Sequence, residues 1–214
     1  MPVMLKRALM LFPLLAAALT AVAQEAVAPA SVPKNPVVAP QPAVAGPTRV
    51  YVIPIKDTIS TPTVYILRRG LKEAIERKAD FVLLNMDTPG GEGAAMLEIM
   101  EALDKFPGKT ITYVNREAIS AGAIIASVSD EIYFAPKGIM GAADVVKGTG
   151  EDLPEALKRK LDSYLGAKIE AYSQHAPRRA DVIKAMRVPD FELKLDDKVI
   201  KAKGELLTLT AEKA

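Results

Sequence analysis

The chain reads as an α/β protein built of repeated βαβ units. Three observations point there. Short runs rich in β-branched and aliphatic residues alternate with longer stretches of helical periodicity, each helical stretch carries one apolar face, and Gly- or Pro-containing turns separate the two kinds. Strictly alternating strands and helices assemble as a parallel sheet with right-handed crossovers.

The first strand is expected over residues 49–56 (RVYVIPIK), with Pro54 suited to an edge or a strand end. A helix follows over 61–79, where Val64, Leu67, Leu71, Ala74 and Ile75 recur at helical spacing and Arg68, Arg69, Lys72, Glu73 and Glu76 fall elsewhere on the wheel. Residues 81–86 (FVLLNM) form a continuous apolar run, as in a strand covered on both faces. After Pro89-Gly90-Gly91, a second amphipathic helix over about 93–105 carries Met96, Ile99, Met100 and Leu103. Residues 110–114 give a third strand, a buried helix starts at Ser120, and 131–135 give a fourth strand. Residues 138–143 read as a glycine-containing turn and 153–174 as a long helix. The tail reads as a hairpin of 198–203 and 206–210 around Gly204-Glu205.

Ahead of the first strand lie two segments of different character. Residues 1–23 start with Lys6-Arg7, run through apolar residues 8–19 and close on Ala21-Val22-Ala23, the three parts of a cleaved export signal in order. Residues 24–48 hold six prolines among Ala and Val with almost no charge, the composition of an extended linker. The domain is therefore expected over 49–214, in an exported, periplasmic or extracytoplasmic protein, membrane-associated if the signal stays uncleaved.

The chain has 28 Lys+Arg against 26 Asp+Glu, and loss of Lys6 and Arg7 with the signal leaves the two balanced. Such a surface implies no nucleic-acid partner. Cysteine is absent, which excludes disulfides and thiolate chemistry, and the single histidine, His175, excludes sites that need two imidazoles. No metal and no cofactor is expected.

Chemistry is best placed on two loops. Gly90-Gly91 and Ile119-Ser120 follow consecutive strands, and in a parallel sheet the carboxyl ends of strands share the edge where ligands bind. Two glycines permit close approach of backbone to a bound group, and a helix N-terminus aims N–H groups at it. The arrangement fits a serine nucleophile beside an oxyanion hole. It equally fits an ordinary β-to-α turn followed by a serine N-cap.

A serine nucleophile needs a base. His175 ends the long helix without an evident carboxylate to orient it, and reads as a surface or C-capping residue. On that helix Leu153, Leu157, Leu161, Tyr164 and Ala171 mark an apolar stripe, with Lys160 inside it and Lys168 near it. Desolvation lowers a lysine's pKa towards the range of a general base. Helical phase does not choose between Lys160 and Lys168, and either could instead snorkel from the rim.

Taken together, Thr88-Pro89-Gly90-Gly91, Ser120-Ala121-Gly122-Ala123 and Ala135-Pro136-Lys137-Gly138-Ile139-Met140-Gly141-Ala142-Ala143 resemble the NfeD-type serine proteases of the ClpP and SppA peptidase group, on the crotonase-like fold. Gly150-Glu151-Asp152-Leu153-Pro154 and Gly204-Glu205-Leu206-Leu207-Thr208-Leu209-Thr210 extend the likeness, which runs from about Arg49 onward. The resemblance implies a Ser–Lys dyad of Ser120 and Lys160, with Lys168 as second choice. It also implies an oxyanion hole of the Gly91 and Ala121 N–H groups, with Gly90 adjacent, and an acyl-enzyme. Further implications are a polypeptide substrate, apolar segments of membrane partners such as stomatin-like proteins, and a homo-oligomer. Asp144 departs from the pattern by standing where these proteins commonly have proline. Ala214 lies before the membrane helices and small β-barrel of longer relatives, so a short form is expected.

Three functions follow from these residues. The first is an exported serine endopeptidase. The second is a catalytically inactive peptide-binding or scaffold protein on the same fold. The third is a crotonase-type enzyme acting on acyl-CoA thioesters, which export disfavours.

Overall fold

The structure, a computed structural model, describes residues 47–146 and 153–214. The expected signal and linker segments, apart from the last residues of the linker, lie outside these described residues.

Four strands and three helices alternate first: β1 (Val50–Lys56), α1 (Thr61–Glu76), β2 (Phe81–Thr88), α2 (Gly93–Asp104), β3 (Lys109–Ile119), α3 (Ala121–Ser127) and β4 (Glu131–Phe134). Then come β5 (Ile139–Gly141), α4 (Glu155–Tyr172), α5 (Pro177–Arg187), β6 (Leu193–Leu195), β7 (Lys198–Lys201) and β8 (Thr208–Thr210). The main sheet runs β1-β2-β3-β5-β8, and β4 also pairs with β3. Pairings among β1 to β5 are parallel, as the alternation of strands and helices requires, and only β8 enters antiparallel.

One face of this sheet makes the core. Ile53, Ile55, Val82, Leu84, Met86 and Val114 are fully buried on it. The alternation has period two, so β2 buries Val82, Leu84, Met86 and Thr88 while the residues between them remain half-buried. The expectation that β2 is covered on both faces is therefore corrected. All three crossover helices lie on one side, where α1 meets α2 and α2 meets α3. Gly70 of α1 packs so tightly on Ile53 that a Cβ would lie 2.7 Å from its side chain.

Strand β3 is longer than the 110–114 run predicts. Polar Asn115, Arg116 and Glu117 mask its second half, which pairs with β5 through Glu117↔Ile139, Ala118↔Met140 and Ile119↔Gly141. Residues 138–143 are correspondingly not just a turn: Gly138 closes the turn from Ala135, and 139–141 are a strand. Gly141 serves close packing there, since a Cβ on it would lie 2.3 Å from the Leu207 carbonyl.

The predicted C-terminal hairpin is also corrected. Strand β7 pairs with β6, turning on Asp196 and Asp197 at φ 47° and 65°, values a two-residue hairpin turn requires. Strand β8 instead joins the main sheet through β5, and Leu207 N–H donates to the Ala185 carbonyl at 3.0 Å. Helix α5 is absent from the sequence reading because its cations obscure the periodicity. Arg179 and Arg187 are drawn inward, and Ile183, Ala185 and Met186 form the core face.

Candidate active site

Ser120 sits at the junction between β3 and α3 with φ 53° and ψ −120°. A non-glycine residue rarely adopts positive φ, and such strain persists only where the surroundings enforce it. They do here: the Ser120 N–H donates to the Gly141 carbonyl at 3.0 Å, while the Ser120 carbonyl accepts from Ala123 N–H at 3.0 Å and starts α3. A sharp strand-to-helix turn of this kind holds a hydroxyl up at the sheet edge. The side chain makes no capping hydrogen bond. The N-cap alternative thus loses its defining contact.

The Gly-Gly turn lies against this serine. Gly90 has φ 104°, and a Cβ built on it would lie 2.6 Å from Ser120 Cβ and 3.1 Å from Ser120 Oγ. Gly91 is held as closely on the other side, where a Cβ would lie 2.1 Å from the Ile59 carbonyl oxygen. Ile59 N–H donates to Gly90 O at 2.8 Å and its carbonyl accepts from Glu92 N–H at 2.9 Å, the pair of bonds that makes a parallel bridge. In that geometry the N–H of Gly91 points away from Ile59, to the side on which β3 follows β2. Ala121 is the first residue of α3, where an N–H has no carbonyl one turn earlier to receive it. Two backbone donors and a hydroxyl thus meet at one sheet edge, an arrangement able to hold an oxyanion beside a nucleophile.

Gly91, Ser120 and Ala121 line one cleft of about 750 Å³. Its lining is mostly apolar and includes Met96, Leu97, Ile124, Val145, Val146, Leu161, Tyr164 and Leu165. Asp144 and Glu92 are the acidic residues on its lining.

Helix α4 brings lysines to this region in a different pattern from the predicted stripe. Its buried residues are Leu165 and Ile169, while Leu157 and Tyr164 are 44% and 49% exposed, so the buried stripe is corrected. Two positions explain the difference: α4 packs through its C-terminal half, and its outer apolar residues border the cleft. Lys160 is exposed and is not among the cleft-lining residues. Lys168 donates to the Tyr172 hydroxyl at 3.1 Å and lies over the Tyr164 and Tyr172 rings. The Tyr172 hydrogen bond holds the Lys168 ammonium above its ordinary pKa, the opposite of what a base at neutral pH needs. Lys158, which the sequence reading did not single out, reaches Asp144 on the cleft wall at 2.7 Å. Only its position two residues before Lys160 signals it in the sequence.

His175 Nε2 lies 3.2 Å from the Ser129 carbonyl, beyond the C-terminal end of α3, whereas Ser120 stands at the N-terminal end. Among the described residues no group of three or more His, Asp and Glu is placed to hold a metal ion.

The profile of the family described as "NfeD1b, N-terminal domain" matches residues 49–214. The chain belongs to that family. The NfeD1b domain here is 36% identical over 165 residues to "Membrane protein NfeD1b" of Bacillus subtilis, covering 77% of this chain and 36% of that protein. It is 30% identical over 149 residues to "Membrane-bound protease PH1510" of Pyrococcus horikoshii, covering 67% of this chain and 34% of that protein. The chain thus spans about a third of the length of these relatives.

Two solved structures of the 1510-N membrane-bound stomatin-specific protease share the ClpP-like α/β fold. A serine-to-alanine mutant superposes with TM-score 0.62 and 26% identity, covering 78% of this chain and 75% of the other. A lysine-to-alanine mutant in complex with a substrate peptide gives TM-score 0.62 and 27% identity, covering 77% and 70%. Among the described residues of this NfeD1b domain, no helix is long and apolar enough to cross a membrane.

Proposed function

We propose that the chain is an exported serine endopeptidase in which Ser120 is the nucleophile. The observation that carries this reading is the strained backbone of Ser120, which lies against Gly90 with its hydroxyl uncapped and lines one cleft with Gly91. The solved relatives, a protease in a serine-to-alanine form and in a lysine-to-alanine form bound to a substrate peptide, support the same chemistry.

In this reading Lys160 is the general base, delivered by the first turns of α4. Its amine takes the Ser120 hydroxyl proton as Oγ attacks the scissile carbonyl carbon. The Gly91 and Ala121 N–H groups receive the oxyanion, with Gly90 shaping the turn, and each such donor is worth about 3 kcal/mol of barrier. Collapse breaks the C–N bond, and the lysine returns its proton to the leaving amine. Water then attacks the acyl-serine, giving its proton to the lysine, and collapse breaks the bond to Ser120 Oγ, which takes that proton back as the carboxylic acid product leaves. Substrate peptides lie in the apolar cleft, and a stomatin-like membrane protein is the partner class that the stomatin-specific relatives suggest. A homo-oligomer is the working state in this reading.

The exposed position of Lys160 favours keeping a second reading, a non-catalytic peptide-binding protein on the same fold. Turnover of a peptide library by the mature protein, beside Ser120→Ala and Lys160→Ala, separates the two. Cleavage lost in both variants supports the peptidase. Binding of apolar peptides without turnover, unchanged in Ser120→Ala, supports the scaffold.

A further inference from the structure

Helix α4 is anchored unevenly. Its buried residues, Leu165 and Ile169, both lie in its second half. From Glu155 to Lys160 no residue is fully buried, so apolar packing does little to fix the turns that carry Lys160.

Charged contacts hold that end instead. Lys158 Nζ lies 2.7 Å from Asp144 Oδ2, with 19% and 17% of the two side chains exposed. Asp144 is itself oriented by its other oxygen, which accepts from the Val145 N–H at 2.7 Å. One turn on, Arg187 Nη1 of α5 lies 3.0 Å from Asp162 Oδ1 and 3.3 Å from the Asp162 carbonyl. Arg187 is 3% exposed. The two pairs interact, because the charges of both Asp144 and Asp162 act on the Arg187 guanidinium. Asp144 also lines the cleft that holds Ser120. The cleft wall and the lysine-bearing turn of α4 are thereby tied by the Lys158–Asp144 ion pair.

We propose that Asp144 and Lys158 are positioning residues, whose ion pair docks the N-terminal half of α4 against the cleft wall and so sets the approach of the catalytic lysine to Ser120. The proposal rests on the peptidase reading above. In a site where displacement of a reacting group by about 1 Å costs up to about a hundredfold in rate, such a tether acts on kcat. Breaking a half-buried pair from one side also leaves the other charge uncompensated, so single substitutions act more strongly than exchange of the two.

The experiment compares the unaltered protein with Lys158→Met, Lys158→Arg, Asp144→Asn and the exchanged pair Asp144→Lys with Lys158→Asp. It reads kcat and KM on a fluorogenic peptide, and hydrogen–deuterium exchange of the amides along α4. The expected result is about a tenfold to hundredfold fall in kcat for Lys158→Met and Asp144→Asn, with partial recovery in Lys158→Arg and the exchanged pair. Exchange is expected to quicken before Asp162 and to stay unchanged around Leu165 and Ile169. Unchanged exchange in Lys158→Met overturns the tether whatever the activity, and unchanged kcat overturns its positioning role. Total loss of activity in Lys158→Met, with none recovered by arginine or by exchange of the pair, overturns it too, because Lys158 then acts chemically. Failure of the peptidase reading shows separately, as absence of turnover in the unaltered protein.

Discussion

Gly90 and Ser120 touch across the ends of β2 and β3, so closely that a Cβ on Gly90 would lie 2.6 Å from the serine Cβ. The position of Ser120 is therefore set by a residue without a side chain on the neighbouring loop. Gly90→Ala forces the added methyl either to displace Ser120 or to strain a backbone at φ 104°. The expected outcome is about 1–3 kcal/mol of lost stability, and peptide turnover reduced by more than the remaining folded fraction accounts for. Urea unfolding and kcat/KM on the same preparation check it.

Ser120 itself inverts an ordinary rule. At most positions alanine is more stable than glycine by about 0.4–1 kcal/mol, because glycine leaves the unfolded chain freer. At φ 53° the Cβ of alanine keeps the strain that glycine would remove. Ser120→Gly is therefore expected to be more stable than Ser120→Ala by about 1 kcal/mol. Denaturant midpoints of the two variants measure this directly.

The far end of α3 depends on Arg179. Its guanidinium donates to the Ser127 carbonyl at 3.2 Å, to the Asp130 carbonyl at 3.1 Å and to the Ser129 carbonyl. Burial pulls the arginine's pKa down, offset by Asp130, so those carbonyls repay a real desolvation. Arg179→Met removes the donors and leaves the carbonyls short of partners, with an expected loss of about 2–3 kcal/mol in thermal or urea unfolding.

Acid stability carries a signature of Glu73. Its carboxylate accepts from the Tyr51 hydroxyl at 2.7 Å and from Arg69 at 2.8 Å, which hold its pKa below the ordinary 4.5. A depressed carboxylate stabilises the fold fully above its unfolded pKa, and that contribution is lost as pH falls through the folded value. The stability difference between the unaltered protein and Glu73→Gln is therefore expected to be constant above about pH 5 and to close below pH 4.5. A difference that widens on acidification contradicts the assignment.

Much of the βαβ half was legible because pattern and burial agree there. Leu67, Leu71 and Ala74 mark the α1 face that is buried, and Met96, Ile99, Met100 and Leu103 mark that of α2. The second half departs where charged or small residues do structural work. Lys201, 3% exposed, donates to the Val188, Pro189 and Phe191 carbonyls, and Arg187 is buried against Asp162, so cations that read as surface are internal. Residues 139–141 are too few to show a period, and Asp196-Asp197 carried the turn signal that Gly204-Glu205 drew away.

At the site, the sequence placed Gly91, Ser120 and Ala121 on one sheet edge, and they line one cleft. It could not show the positive φ of Ser120, which comes from β5 pairing beside it through the Gly141 carbonyl. Nor could helical phase show which end of α4 is packed, since that depends on where α5 meets it.

The central claim, an activated Ser120 in a cleft that performs acyl transfer, is tested most directly by covalent trapping. The mature protein is incubated with a fluorophosphonate, digested, and the modified residue located by mass spectrometry. The account predicts phosphonylation at Ser120, slowed in Lys160→Ala and absent from Ser120→Ala. Absence of label on Ser120 in folded protein, or equal labelling of Ser120 before and after heat unfolding, contradicts it.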